Sequence, residues 1–253
     1  MWYNFKVECQ RYFNEMMSFK FNLFFANIGL ILFFNGLLKY SNVQNKESVL
    51  ILLFFWYFAT HGFINIDYII EEEIMDNTFA HVMMTGTSFL EVIFLRSIIQ
   101  VFYDFIKAIV VFGIVIYFGN YDFSWINIQN GIVIVILLVI GILISYFIGL
   151  IIGSLTLKYK KVSALPNLLY YYVLFFGGIL YSYSNFKLLN GICYLLPFLP
   201  IKNITYALQR NIMIDYNNFI ILAVQFIVYL LLGLFFYNKY SKEMLKKGSV
   251  FYV

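Results

Sequence analysis

This chain has few residues that can do chemistry. Among its 253 residues are two cysteines, Cys9 and Cys193, two histidines, His61 and His81, and only 12% charged side chains. No metal-ligand spacing surrounds either cysteine or either histidine, which excludes a disulfide framework and a structural zinc site. The isolated histidines therefore read as structural. There is no GxxxxGK[ST] phosphate loop, no HExxH and no GxSxG, so no local signature for binding ATP, hydrolysing a peptide on zinc or forming an acyl-enzyme. Glu71-Glu72-Glu73 invites comparison with intramembrane proteases that carry Glu-Glu-x-x-x-Arg, but Asp76 and Asn77 stand where the arginine would fall. With three prolines there is little to break helices, and no repeat or low-complexity tract is visible.

In place of polar chemistry the chain has 62% hydrophobic and 22% aromatic residues. No soluble domain of this length needs so much apolar surface, so the composition points to an all-α protein that crosses a membrane many times. Six apolar runs are long enough to span, at 21–38, 48–66, 96–118, 131–157, 164–182 and 219–237. The outer connection 183–218 holds a further apolar stretch, Leu188–Ile201, which is too short to span and contains Pro197 and Pro200. It reads as a re-entrant hairpin between spans five and six. Six spans put both termini on one side. Placing them inside collects Lys6, Arg11, Lys20, Arg96, Lys158, Lys160, Lys161, Lys239, Lys242, Lys246 and Lys247 there, against Lys39, Lys46, Lys187, Lys202 and Arg210 outside. Eleven against five favours cytoplasmic termini, and the net charge of +4 follows from this bias rather than from a nucleic-acid partner. Cys9 and Cys193 then fall on opposite sides of the bilayer.

Four features could carry function. Residues 1–20 are amphipathic, with Phe5, Cys9, Tyr12, Met16 and Phe19 on one stripe, and read as an interfacial helix or as a short lead-in to the first span. The loop 67–95 holds Asp67, Glu71, Glu72, Glu73, Asp76 and Glu91, six of the thirteen acidic residues. Within it Met75, Phe79, Val82 and Met83 share a helix face that could plug a partner's groove, with Glu72, Glu73 and Asp76 mostly on the other side; the alternative is a solvated loop. Ser88 and Glu91 form a capping box that starts the next helix at Phe89. Inside span three, Asp104 and Lys107 lie three residues apart and can meet. They read as a neutralised packing pair, or as coupling groups. Near the outer end of span five, Gly177-Gly178 allows close helix approach, and Tyr170, Tyr171, Tyr172, Tyr181, Tyr183 and Tyr194 form an aromatic belt or line a path.

Three of these stretches resemble permease subunits of the ABC-2 transporter family. One is the interfacial helix before six spans. The second is the acidic loop, from Glu72 to Asn77-Thr78-Phe79 and then Thr85-Gly86-Thr87-Ser88-Phe89-Leu90-Glu91. The third is Phe175-Phe176-Gly177-Gly178-Ile179, followed by Leu196-Pro197-Phe198-Leu199-Pro200 and Ile204-Thr205-Tyr206. Asn77 replaces the family's usual Gly, Ala80 stands at its second Glu and Gly177 at its Ser. The resemblance implies a single transmembrane domain over 1–253 in a bacterial cytoplasmic membrane. It would pair with a second permease copy or a related permease above cytoplasmic ABC ATPases that carry ATP and Mg. The coupling segment would comprise Glu71, Glu72, Glu73, Met75, Asp76, Phe79, Val82 and Met83, with no catalytic residue in this chain. The implied activity is export of an amphipathic or hydrophobic substrate such as a peptide, bacteriocin or drug. The alternatives are a polysaccharide- or lipid-exporting relative and an ATP-independent secondary transporter that uses Asp104 and Lys107.

Overall fold

Apolar runs with few glycines and prolines can satisfy their backbone in lipid only by coiling into helices, and every regular element described is a helix. The computed structural model describes residues 2–40, 46–76, 78–79, 82, 88–162, 164–177 and 191–247. In chain order the helices are α1 (Trp2–Ser18), α2 (Lys20–Tyr40), α3 (Lys46–Met75), α4 (Phe89–Gly119), α5 (Ile128–Tyr159), α6 (Ala164–Phe176), α7 (Phe198–Gln209) and α8 (Asn217–Lys247). Five of them, α2, α3, α4, α5 and α8, are long and apolar enough to cross a membrane. The expected span 164–182 is described as helix only over the 13 residues of α6.

α3 is the central rod: it is 78% buried across its apolar window, against 11% for α2 and 17% for α8. It packs along α5, and α5 packs in turn along α8. Lipid offers helices no hydrophobic drive to associate, so close backbone approach must supply the attraction. Glycines supply it here. A Cβ on Gly149 of α5 would lie 2.1 Å from the Gly62 carbonyl oxygen of α3, and one on Gly153 would lie 2.7 Å from Ile70 Cδ1. On the other face of α5, a Cβ on Gly233 of α8 would come within 3.2 Å of the Phe147 carbonyl oxygen.

Polar caps set the helix ends. Asn127 Oδ1 accepts the Asn130 N–H at 2.8 Å to start α5, and Lys160 closes it at a positive φ of 66°, its N–H reaching the Thr156 carbonyl. α4 begins at Phe89 as the sequence suggests, but Ser88 makes no side-chain cap bond, so the expected capping box is not what holds it.

α7 runs beside one half of α3. Phe198 packs on Phe55 with ring centroids 4.4 Å apart, and at the other end of α7 Gln209 Nε2 donates to Glu47 Oε2 at 3.2 Å while its carbonyl accepts from Ser48. Phe55 lies seven residues along α3 from Ser48, or about 10 Å at 1.5 Å per residue. Gly141 leaves room for this packing: a Cβ there would meet Ile201 Cδ1 at 2.6 Å and Phe55 Cζ at 2.7 Å.

Candidate functional site

The acidic segment does not form a separate loop helix. α3 continues without a break to Met75, so Asp67, Glu71, Glu72 and Glu73 occupy its last turns. The run Ile66, Ile69, Ile70 and Ile74 keeps an apolar face against the core all the way down, and this carries the helix past the expected boundary at 66. Asp67 is buried and accepts the hydroxyl of Thr156 on α5. Glu71 pairs with Lys161 at 3.3 Å, just beyond α5.

Glu73 departs furthest from the position its helical spacing predicts. It was expected on the solvated side of a loop helix, yet it is 5% exposed. Arg96 of α4 meets it at 2.6 Å through Nη1 and reaches Glu8 of α1 at 3.2 Å through Nε. Glu8 in turn holds Arg11 at 3.2 Å, and the Thr78 hydroxyl donates back to Glu73. A buried guanidinium between two carboxylates thus locks α1, the end of α3 and the start of α4 together. Arg96 was visible only as one of eleven inner cations, because its partners lie 23 and 88 positions away.

The proposed docking face also changes. Phe79 is fully buried and packs against Phe89, and Val82 is half-buried beside the same cluster. Met75 is 57% exposed and Asp76 is exposed. Met75 and Phe79 therefore do not share one outward face: Met75 points out from the end of α3 while Phe79 closes the turn inward. Glu72 is half-buried and lines a small hollow with Arg11, Tyr12, Glu15 and Tyr68. Met83, with Asn77, Ala80, His81 and the Thr85-Gly86-Thr87 stretch, lies outside the described residues.

Deeper in the fold, Asp104 and Lys107 do meet, Lys107 Nζ donating to Asp104 Oδ1 at 2.7 Å. A third member joins them: His61 of α3 sits 2.6 Å from Asp104 Oδ2 through Nδ1. An ionised carboxylate only accepts, so Nδ1 carries the proton in this contact. Asp104 is 2% exposed and the Tyr57 ring lies 4.5 Å from the His61 ring. His61 was read as an isolated structural histidine; only the crossing of α3 and α4 reveals its partner. Between this cluster and Arg96, Tyr12 of α1 packs on Tyr103 at 5.1 Å. Burial, joined by the Asp104 carboxylate, pushes the Tyr12 phenol above its ordinary range. A polar seam thus runs along α1, α3 and α4 from the middle of the spanning helices to their acidic end.

At the other end, Tyr170 packs against Trp56 at 4.8 Å, and the Tyr172 hydroxyl donates to the Ile192 carbonyl at 2.9 Å. Tyr194 receives the Asn203 amide, whereas Tyr171 is 60% exposed. Gly178, Tyr181 and Tyr183 lie outside the described residues. No group of three or more His, Cys, Asp or Glu among the described residues is placed to hold a metal.

Compared with known proteins, residues 1–207 match the model of a family described as ABC-2 type transporter, a stretch that takes in α1 through most of α7. No curated protein matches the chain.

Proposed function

The chain belongs to the ABC-2 type transporter family, and from that membership we propose that it is the permease subunit of an ATP-driven exporter. Separate cytoplasmic ABC ATPases bind and hydrolyse ATP, and this chain contributes no catalytic residue. A second permease, identical or related, completes the path. The termini face the cytoplasm of a bacterial cell, and the run 164–182 serves as the fifth of six spans. α1 lies in the inner interface, and 183–218 is a re-entrant outer connection, a reading supported by α7 lying beside the half of α3 remote from the acidic end.

The observation that carries this reading is the junction of Glu73, Arg96 and Glu8. An ATPase that closes beneath the membrane must push on something stiff. The end of α3, tied by one guanidinium to both α1 and α4, is a stiff contact from which three helices move together. Met75 and Asp76, exposed on that end, form the contact surface, with Glu71 and Glu72 beside them. The substrate class is an amphipathic or hydrophobic solute such as a peptide, bacteriocin or drug, in keeping with the apolar walls of the helices; a polysaccharide- or lipid-exporting role is the variant of this reading with a different cargo.

A second reading rests on His61, Asp104 and Lys107, which are the kind of buried ionisable cluster that couples an ion to transport. In that reading the chain works as a secondary transporter without ATPase. Purification of the tagged chain from its native membrane in mild detergent separates the two. A stoichiometric partner carrying a phosphate loop, and transport that needs ATP, is the expected result. A chain that purifies alone and moves solute in vesicles without ATP overturns the exporter reading in favour of the second.

A further inference from the structure

One cavity differs from the other grooves between the spanning helices. It lies among α3, α4 and α5, encloses about 290 Å³ and is walled by Ile66, Phe94, Ile98, Leu143 and Leu150, with two residues that carry a hydroxyl, Ser97 and Tyr146, of which Tyr146 bonds Asn65. Ser97 is 5% exposed, and its hydroxyl has no hydrogen-bond partner among the described residues. A buried hydroxyl left unpaired costs about 1–3 kcal/mol, so something that accepts a hydrogen bond belongs beside it. The grooves nearer the other ends of these helices, between α5 and α8 and among α3, α4 and α5, are larger, at about 440 and 470 Å³, and no polar side chain lines them. They are ordinary lipid-facing hollows.

The cavity's length identifies what fits it. Along α5 it runs from Leu150 to Val139, eleven residues or about 16 Å. The hydrocarbon core of a bilayer is about 30 Å thick, so the cavity is one leaflet deep. Its mouth opens sideways between Phe94 and Ile98 of α4 and Val139 and Leu143 of α5, all of them exposed. Ile93 and Phe94 form its end nearest the acidic α3–α4 connection, and Ser97 lies one turn further in along α4, one residue deeper than the ion-paired Arg96. That is the level at which charged groups give way to hydrocarbon, and where a glycerolipid carries its ester carbonyls.

We propose that this cavity binds one acyl chain of a bilayer phospholipid, with the Ser97 hydroxyl donating to the ester carbonyl at its head. The leaflet follows from the orientation proposed above: it is the inner one. Lipid retention requires no ATPase, so this inference and the exporter reading fail separately.

The test uses the full chain with whatever subunits it assembles, reconstituted in vesicles of phosphatidylcholine and phosphatidylglycerol. A fraction of the phosphatidylcholine carries a photoactivatable diazirine midway along one acyl chain. Adducts are expected to concentrate on Leu143, Val139 and Ile98, and to exceed severalfold those on Phe102 and Phe235, which are 63% and 59% exposed on the outer surface of the helices. After detergent washing, native mass spectrometry should find one phospholipid per chain. Ser97→Ala should cut that retention about fivefold, the value of one lost hydrogen bond. Val101→Trp should abolish it by filling the cavity; Leu143→Phe serves the same purpose if the tryptophan variant does not fold. Adducts spread evenly over all exposed residues overturn the proposal. So do adducts that vanish on assembly with a second copy, and a labelled chain that a transported solute displaces.

Discussion

Phe79 and Phe89 meet edge to face with ring centroids 4.8 Å apart, folding the α3–α4 connection back onto the helices it joins. The contact turns what looked like a detachable loop helix into a corner of the core, and it divides the apolar residues of that segment into inward and outward members.

Met75→Asp should therefore remove the ATPase from purified complexes while leaving the yield and thermal unfolding of the permease unchanged. Phe79→Asp should do the opposite and destabilise the chain itself, by about 3 kcal/mol or more for a charge placed at a fully buried aromatic site. Co-purification and unfolding midpoints, measured on both variants, check the pair. ATPase retained by Met75→Asp would move the contact surface elsewhere.

Arg96→Ala strands Glu73 inside the junction and should cost about 3 kcal/mol, since breaking a buried pair leaves its partner uncompensated. Arg96→Lys keeps the charge but loses the fork that reaches two carboxylates, so α1 should loosen while the Glu73 contact survives. Proteolytic sensitivity of α1 against the global unfolding midpoint distinguishes the two. Equal behaviour of both variants would mean that charge alone holds the junction.

Asp104→Asn leaves Lys107 facing a buried neutral site and should destabilise more than the double replacement Asp104→Asn with Lys107→Met, because His61 can then simply stay neutral. Lys107→Met alone should be mild, since His61 still contacts Asp104. Thermal unfolding in detergent checks the order. Equal loss of transport in the single and double variants, with folding intact in both, would give Asp104 a direct part in moving substrate.

Gly149→Ala drives a methyl into the Gly62 carbonyl and should cost about 1–3 kcal/mol. Gly131→Ala, whose new methyl would meet only Ile126 Cγ2 at 3.6 Å, should be neutral or slightly stabilising by helix propensity. The difference between the two melting temperatures is the readout.

The Tyr12 phenol, normally ionising at pH 10.0, is held neutral to higher pH by burial and by Asp104. A folded-state value raised in this way stabilises the docked α1 fully below pH 10.0 and less and less as the pH rises past it. Tyr12→Phe cannot ionise, so its α1 should stay docked into stronger alkali. A spin label on the half-buried Cys9, with Cys193 protected by burial, reports α1 mobility through such a titration.

Much of this molecule is legible from hydropathy alone, because lipid makes a long apolar run into a helix whatever its neighbours. The start of α4 at Phe89 was legible, though not held by the cap that pointed to it, and the meeting of Asp104 with Lys107 followed from their spacing of three residues. What escaped the sequence depends on distant pairs. Whether Glu73 faces water or Arg96, and whether His61 is alone, is decided by how α3 crosses α4. The inward turn of Phe79 is likewise set by Phe89 rather than by the helical spacing that grouped it with Met75. The reach of α3 to Met75 was hidden because a charge run normally marks the end of a span, and here three of those charges are paired or hydrogen-bonded against neighbouring helices.

The touching backbones of Gly62 and Gly149 have a mechanical consequence. The two rods pack along each other, but at this point backbone meets backbone with no side chain between, so a tilt of α3 that keeps the contact pivots about it. From Gly62 to Glu73 is eleven residues, about 16 Å of helix, and from Gly62 to Ser48 fourteen, about 21 Å. A tilt of α3 about that point would move its two ends in opposite directions, the Ser48 end by about 1.3 times as much as the Glu73 end. Gln209 grips α3 at Ser48 and Glu47, so α7 hangs on the longer arm.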